Sequence, residues 1–172
     1  AFYLCWFACA LGAAHGFSMA GPLIITILLG VHLFFLSTQP VREAMLIGSA
    51  GVIGTGIDSL LMSNGVYAFT DHPVSGLCPA WITALWMIFA STFDHALSWL
   101  RKRYVLASLF GVLGGPLSYA AGARLGAVIL PDQATGSVVV LAVIWGTAMP
   151  ALLWLTDRLL EASNRSKAVV SS

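Results

Sequence analysis

The sequence predicts an all-α, polytopic membrane protein, a bundle of six transmembrane helices with both termini cytoplasmic. Three observations carry that prediction. Of the 172 residues 59% are hydrophobic and 9% charged, with a mean hydropathy of +0.90, whereas soluble domains carry about 25% charged residues. Residues 1–41 contain no Asp, Glu, Lys or Arg, a run long enough for two spans of roughly 20 residues each. Finally, Arg42, Arg101, Lys102, Arg103, Arg158, Arg165 and Lys167 all fall on one side of a six-span arrangement, and Arg124 alone falls on the other. Cytoplasmic connections carry the excess of Lys and Arg, so the cation-rich side is the cytoplasm.

The six spans are expected at about 1–14, 19–36, 44–62, 80–100, 104–124 and 137–155. The first is short for a bilayer and opens without a basic segment, which predicts no cleavable signal peptide and suggests further residues upstream. The second opens at Gly21-Pro22, where proline suits a first turn, carries His32, and is broken by Ser37-Thr38-Gln39-Pro40. Along the third, Gly48, Gly51, Thr55 and Asp58 share a face, small residues that permit close helix approach leading to one buried acid. The loop 63–79 has turn signals at Asn64-Gly65, Asp71-His72-Pro73 and Ser75-Gly76 and no Lys or Arg. The fifth span carries a smooth stripe of Gly111, Gly115, Ser118 and Gly122, and Gly114-Gly115-Pro116 is expected to kink or break it. After the loop 130–136, the sixth span runs to about Leu155 with Pro150 near its end, and the polar cytoplasmic tail 157–172 is expected to fray.

The fourth span organises the chain. Read as one helix through to the three cations at 101–103, it places Ser91, Asp94, His95 and Ser98 on one face. An ionisable pair in such a place is a functional-site hypothesis, and Asp94 and His95 are the candidates for acid/base catalysis. The plainer alternative is a satisfied polar patch at the interface. Consecutive residues point about 100° apart on a helix, so their partners should come from other helices. His32 lies at a similar depth to His95; two histidines and an acid at one level have the composition of a metal site, but no spacing motif supports one and no metal is predicted. Asp58 and Arg124 fall in the outer half of the membrane, where an unpaired charge is penalised, and are expected to pair; Arg124 is the candidate to hold an anionic ligand such as a lipid phosphate. The ligand-binding candidates are therefore Arg124, Asp58, His95 and His32. The six tryptophans are expected in interfacial belts, and Cys5, Cys9 and Cys78 as small apolar packing residues.

Several stretches resemble a family of small bacterial inner-membrane proteins known as domain of unknown function 2878. They are WFACALGAAHG (6–16), Asp58-Ser59-Leu60, PAWITALW (79–86), FDHALSWLRKR (93–103) and LGGPLSYAAGARLGAV (113–128). The resemblance implies a multi-pass protein of the bacterial inner membrane with no established activity. It implies Asn more often than Asp at position 94, hence no obligatory carboxylate there, and a genomic neighbourhood of lipid-modifying enzymes that hints at fatty-acyl chemistry.

A solvated basic surface is lacking, which excludes nucleic acid as a partner. No nucleotide loop, nucleophile elbow or heme signature is present, so no cofactor is indicated by motif. The function expected is that of a lipid-binding or accessory membrane subunit, its partners membrane lipids, a protein in a membrane complex or a second copy of itself. Two alternatives are an intramembrane lipid-modifying enzyme using Asp94 and His95, and a small transporter using the broken fifth helix.

Overall fold

A computed structural model describes residues 2–71 and 76–170, with side chains through Arg165. His72 and its neighbours Pro73 and Ser75 lie outside the described residues, as does the Lys167 side chain. The elements run α1 (Phe2–Ala14), α2 (Ala20–Val31) prolonged by a π-helical stretch (His32–Leu36), α3 (Pro40–Ser63), β1 (Ala68–Phe69), α4 (Ala80–Ala90), α5 (Tyr104–Arg124), β2 (Val128–Ile129) and α6 (Thr135–Val170). Three helices are long and apolar enough to cross a membrane: α3, α5 and α6 over Thr135–Arg165. α1, α2 with its π-helical end, and α4 are shorter apolar helices.

Local chemistry sets the boundaries. Pro40 opens α3 at a position whose N–H has no helical partner in any case. α1 and α5 close alike: Gly16 and Gly126 take φ of +79° and +84°, and the amides of Phe17 and Ala127 reach back to the carbonyls of Gly12 and Gly122. That left-handed closing residue is where glycine spares a side chain the steric penalty.

The helices pair closely, α3 on α4 and α5 on α6, with α1 against α2 and α4. A Cβ on Gly54 would overlap the Trp86 ring, and one on Gly111 or Gly115 would meet Trp145. Gly21 lies against Cys9 in the same manner, which accounts for Cys9 as a buried packing residue. Outside this core, Leu4, Ile27, Phe34, Val52, Val105 and Leu117 stand exposed around the bundle, the distribution a lipid solvent permits and water does not.

Contacts define two ends. At one, Arg42 meets Asp94, Arg101 meets Asp157 and Ser163 meets Gln39. At the other, β1 and β2 pair antiparallel with Ala68 opposite Ile129, and Ser137 donates to the Val66 carbonyl.

Three expectations are corrected. The fourth segment does not continue as a helix to residue 100: α4 stops at Ala90, residues 91–97 form turns, and Ser98–Leu100 is a short 3-10 helix. Ser91, Thr92 and Ser98 each turn a hydroxyl onto the carbonyl three residues back, the local competition by which such residues loosen a helix. Ser91, Asp94, His95 and Ser98 consequently do not share a helical face. Second, α5 is unbroken through Pro116. Its seating on α6, by Gly111 and Gly115 against Trp145 and by a Ser108–Gly146 hydrogen bond of 2.7 Å, holds the helix across the lost backbone bond. Third, the polar tail continues α6 as helix to Val170, where Glu161 lies within 3.7 Å of both Arg158 and Arg165 at helical spacing.

Candidate functional site

Among the described residues, one groove and two polar clusters stand out, built from neighbouring helices. The first is an apolar groove of about 610 Å3. α1 supplies one wall through Phe2, Trp6 and Ala10, and α5 supplies the other through Phe110, Gly114 and Ser118. α4 runs along it from Trp81 to Phe89, and Leu97 closes the end nearest the cations. The glycines of α5 make this wall flat; a Cβ on Gly114 would meet only open space. One hydrogen bond crosses between the walls, Trp6 Nε1 to Ser118 Oγ at 3.0 Å. The Trp81 ring also lines the groove, and its Nε1 is buried without a hydrogen-bond partner. Volume and lining are those of small-molecule pockets, largely apolar with few polar groups.

Behind the groove lies Asp58, wholly buried. Its Oδ1 accepts from Tyr67 at 2.5 Å and from Tyr119, and its Oδ2 accepts from Trp86 Nε1 at 2.6 Å. Trp86 in turn stacks on Trp145, centroids 4.6 Å apart and planes 10° from parallel. Burial pushes the Tyr67 hydroxyl well above its ordinary range, so it keeps the proton it donates. The carboxylate thus joins α3, the segment before β1, α4 and α5, and both its oxygens are used. Chemically this is a clamp, with no free edge for a ligand.

The third place sits at the cation-bearing end. Arg42, 6% exposed, gives Nη2 to Asp94 Oδ2 at 2.8 Å, while its Nε and Nη1 are buried without partners. Glu43 beside it is bonded at Oε1 by Ser37 Oγ (2.7 Å) and at Oε2 by His32 Nε2 (2.5 Å). His95 Nε2 stands 3.9 Å from the same Oε2, and the two imidazoles meet edge to face at 5.2 Å. Nearby, Arg101 and Tyr104 both hold Asp157, at 2.8 and 3.0 Å.

Against the sequence-based expectations, His32, Asp94 and His95 do converge, and their partners do come from other segments. The acid between the histidines is Glu43, however, while Asp94 is taken by Arg42. From sequence alone Arg42 serves only as an orienting cation, and Glu43 has no role beyond closing the charge-free run with it. The expected Asp58–Arg124 pair is absent: Asp58 is satisfied by two tyrosines and a tryptophan, and among the described residues no carboxylate lies within ion-pair distance of the exposed Arg124. Three neutral donors at hydrogen-bond distance serve the acid without a cation from the helix end. Of the small face on α3, Gly51, Thr55 and Asp58 turn inward, Gly48 is exposed, and Gly54 makes the closest approach. Four of the tryptophans, Trp6, Trp81, Trp86 and Trp145, line the groove; Trp99 and Trp154 are half exposed.

A family model described as a protein of unknown function (DUF2878) matches residues 1–151. No curated protein and no solved structure matches the chain. With seven-eighths of its length inside the family model, the chain belongs to DUF2878.

Proposed function

We propose that this DUF2878 protein binds a membrane lipid, seating an acyl chain in the groove between α1 and α5. The groove itself carries the proposal: it runs from Leu97 to Val128 along the helix axes, and its lining is aromatic and glycyl. From Phe110 to Gly122 the α5 wall alone extends about 18 Å at 1.5 Å per residue, a length suited to a chain lying parallel to the helices. Each methylene buried there contributes about 0.8 kcal/mol.

The membrane setting belongs to the same proposal: six spans in the bacterial inner membrane, with both termini cytoplasmic. Its support is the charge distribution. Arg42, Arg101 and Arg158 lie at the end tied together by the Asp94 and Asp157 bonds, and Arg124 lies at the end of α5 nearest the β1–β2 pair. A catalytic role for Asp94 draws no support from its position, bound by Arg42, and an unbroken α5 withdraws the feature that suggested a transporter.

Native mass spectrometry of gently extracted protein tests lipid binding. The wild type should carry one lipid per chain. Gly114→Phe, which fills the groove without touching the α5–α6 contact, should abolish it, and Gly48→Phe on the exposed face of α3 should not. A stoichiometric polypeptide in place of lipid, or lipid retained by Gly114→Phe, would show the groove to be something else.

A further inference from the structure

We propose that His32, Glu43 and His95 form a binding site for one divalent transition-metal ion at the cation-bearing end of the bundle. Three separate segments bring the donors together: the π-helical end of α2, the first turn of α3 and the turn after α4. One ligand atom from each lies within 4.8 Å of the other two. His32 and His95 both aim Nε2 at a single oxygen, Glu43 Oε2, at 2.5 and 3.9 Å. Their rings meet edge to face at 86°, with centroids 5.2 Å apart.

The surroundings fit the same role. A ligating carboxylate or imidazole is held by outer hydrogen bonds that fix its orientation. Here Ser37 Oγ donates to Glu43 Oε1 and is itself held by the Gln39 amide at 3.1 Å, leaving Oε2 to face the histidines. Among the described residues Arg42 is the cation that would oppose a metal, being 3.8 Å from Glu43 Oε1, but its stronger bond is to Asp94 at 2.8 Å. Arg42 and Asp94 cancel, so with neutral histidines the cluster keeps the single negative charge of Glu43. His32 opens the π-helical stretch, and such irregularities recur at functional sites because they re-aim a side chain at some cost to the helix.

Two imidazoles and a carboxylate suit zinc or iron(II), with further coordination positions open. Bonds of about 2.0–2.1 Å place tetrahedral ligand atoms about 3.3 Å apart. His32 therefore has to withdraw from Glu43 and His95 to approach it, each by less than about 1 Å, while the two histidine donors, within 4.8 Å of each other, close by up to about 1.5 Å. His95 can make that movement, since its side chain is 55% exposed and lies in a turn. The same exposure leaves the open position facing water or lipid headgroups.

The test uses the full chain, tag removed and purified without chelator, assayed for bound metal, then stripped and titrated with Co2+ followed by Zn2+. One equivalent per chain is expected, with visible Co2+ absorption that Zn2+ displaces. His95→Ala should weaken binding at least 100-fold without altering the elution profile or thermal transition, because His95 is exposed. Ser37→Ala should weaken it roughly 10-fold through the outer bond. Gly114→Phe, which fills the groove and excludes lipid from it, should leave metal binding unchanged, so the two proposals stand or fall separately. Metal well below one equivalent with no saturable Co2+ spectrum, or a Co2+ spectrum identical in His95→Ala, overturns the proposal and leaves His32–Glu43 as a hydrogen bond only.

Discussion

Two acids of α3, fifteen positions apart, live in opposite circumstances. Asp58 is sealed in the middle of the bundle and each oxygen is engaged by aromatic donors. Glu43 is also buried, yet its surroundings are unfinished: a histidine waits at 3.9 Å, and the adjacent Arg42 keeps two nitrogens without partners. The difference separates a group that fixes a fold from a group that has capacity to spare. Buried polar atoms are nearly always satisfied, so Asp58 explains itself by architecture alone. Glu43, bonded at both oxygens by Ser37 and His32, still has a second histidine within reach, and the leftover Arg42 nitrogens are donors that call for an acceptor or a water.

The contrast can be broken most directly at Asp58. Asp58→Ala leaves two tyrosine hydroxyls and one indole N–H buried without an acceptor, at roughly 1–3 kcal/mol each. The expected result is loss of monodisperse protein on size exclusion in detergent; a well-behaved variant would deny the clamp its role. Asp58→Asn keeps one acceptor but turns an NH2 toward an indole or hydroxyl donor, and should cost about 1–3 kcal/mol, read as a lowered thermal transition. Gly54→Ala attacks the same clamp from behind by pressing on Trp86, and the overpacking penalty is about 1–3 kcal/mol. A shift in the tryptophan emission, reporting displacement of the Trp86–Trp145 stack, should accompany it.

At the other acid the effects should be smaller in stability. Asp94→Asn retains an acceptor for Arg42 but removes the charge from a pair whose arginine is buried, and a loss of about 1–2 kcal/mol is expected, since bonds to charged groups contribute about 1.5–3 kcal/mol. A neutral outcome would mean that Arg42 finds another partner. Arg124→Ala closes the series. Exposed and without a carboxylate in reach among the described residues, it should change the transition by no more than about 0.5 kcal/mol. A large loss there would restore the Asp58–Arg124 pair that the geometry replaces.

Much of this was legible beforehand, and what was not has a common cause. Apolar runs and their breakers placed α1, α2 with its π-helical end, and α5 within a residue or two, and the buried acid at 58 followed from helical spacing, whereas His95 meets His32 from a turn and not from the continuous helix that the spacing assumed. Window-scale hydropathy, though, treats Arg42 and Glu43 as the end of a span. Only a fold that brings residue 94 beside residue 42 and residue 32 beside residue 43 makes them interior. The stop at Ala90 was missed for a related reason: helix propensity alone would carry the segment onward, but serine and threonine hydroxyls, and the pull of Arg42 on Asp94, favour turns. The groove could not be foreseen because it belongs to no segment; it exists where α1 and α5 stand apart. The tail shows the reverse error, since its polar composition hid helix formers and charge pairs that keep α6 going.

The donors that satisfy Asp58 arrive in sequence during synthesis. Tyr67 follows it by 9 residues, Trp86 by 28 and Tyr119 by 61. At about 5–20 residues per second, roughly 3–12 s separate the emergence of the acid from that of its last partner. Throughout that interval the growing chain carries a helix whose acid, near the C-terminal end of Pro40–Ser63, is not yet fully bonded. α3 is therefore completed by its successors, and a chain halted before residue 119 would hold Asp58 without its Tyr119 donor.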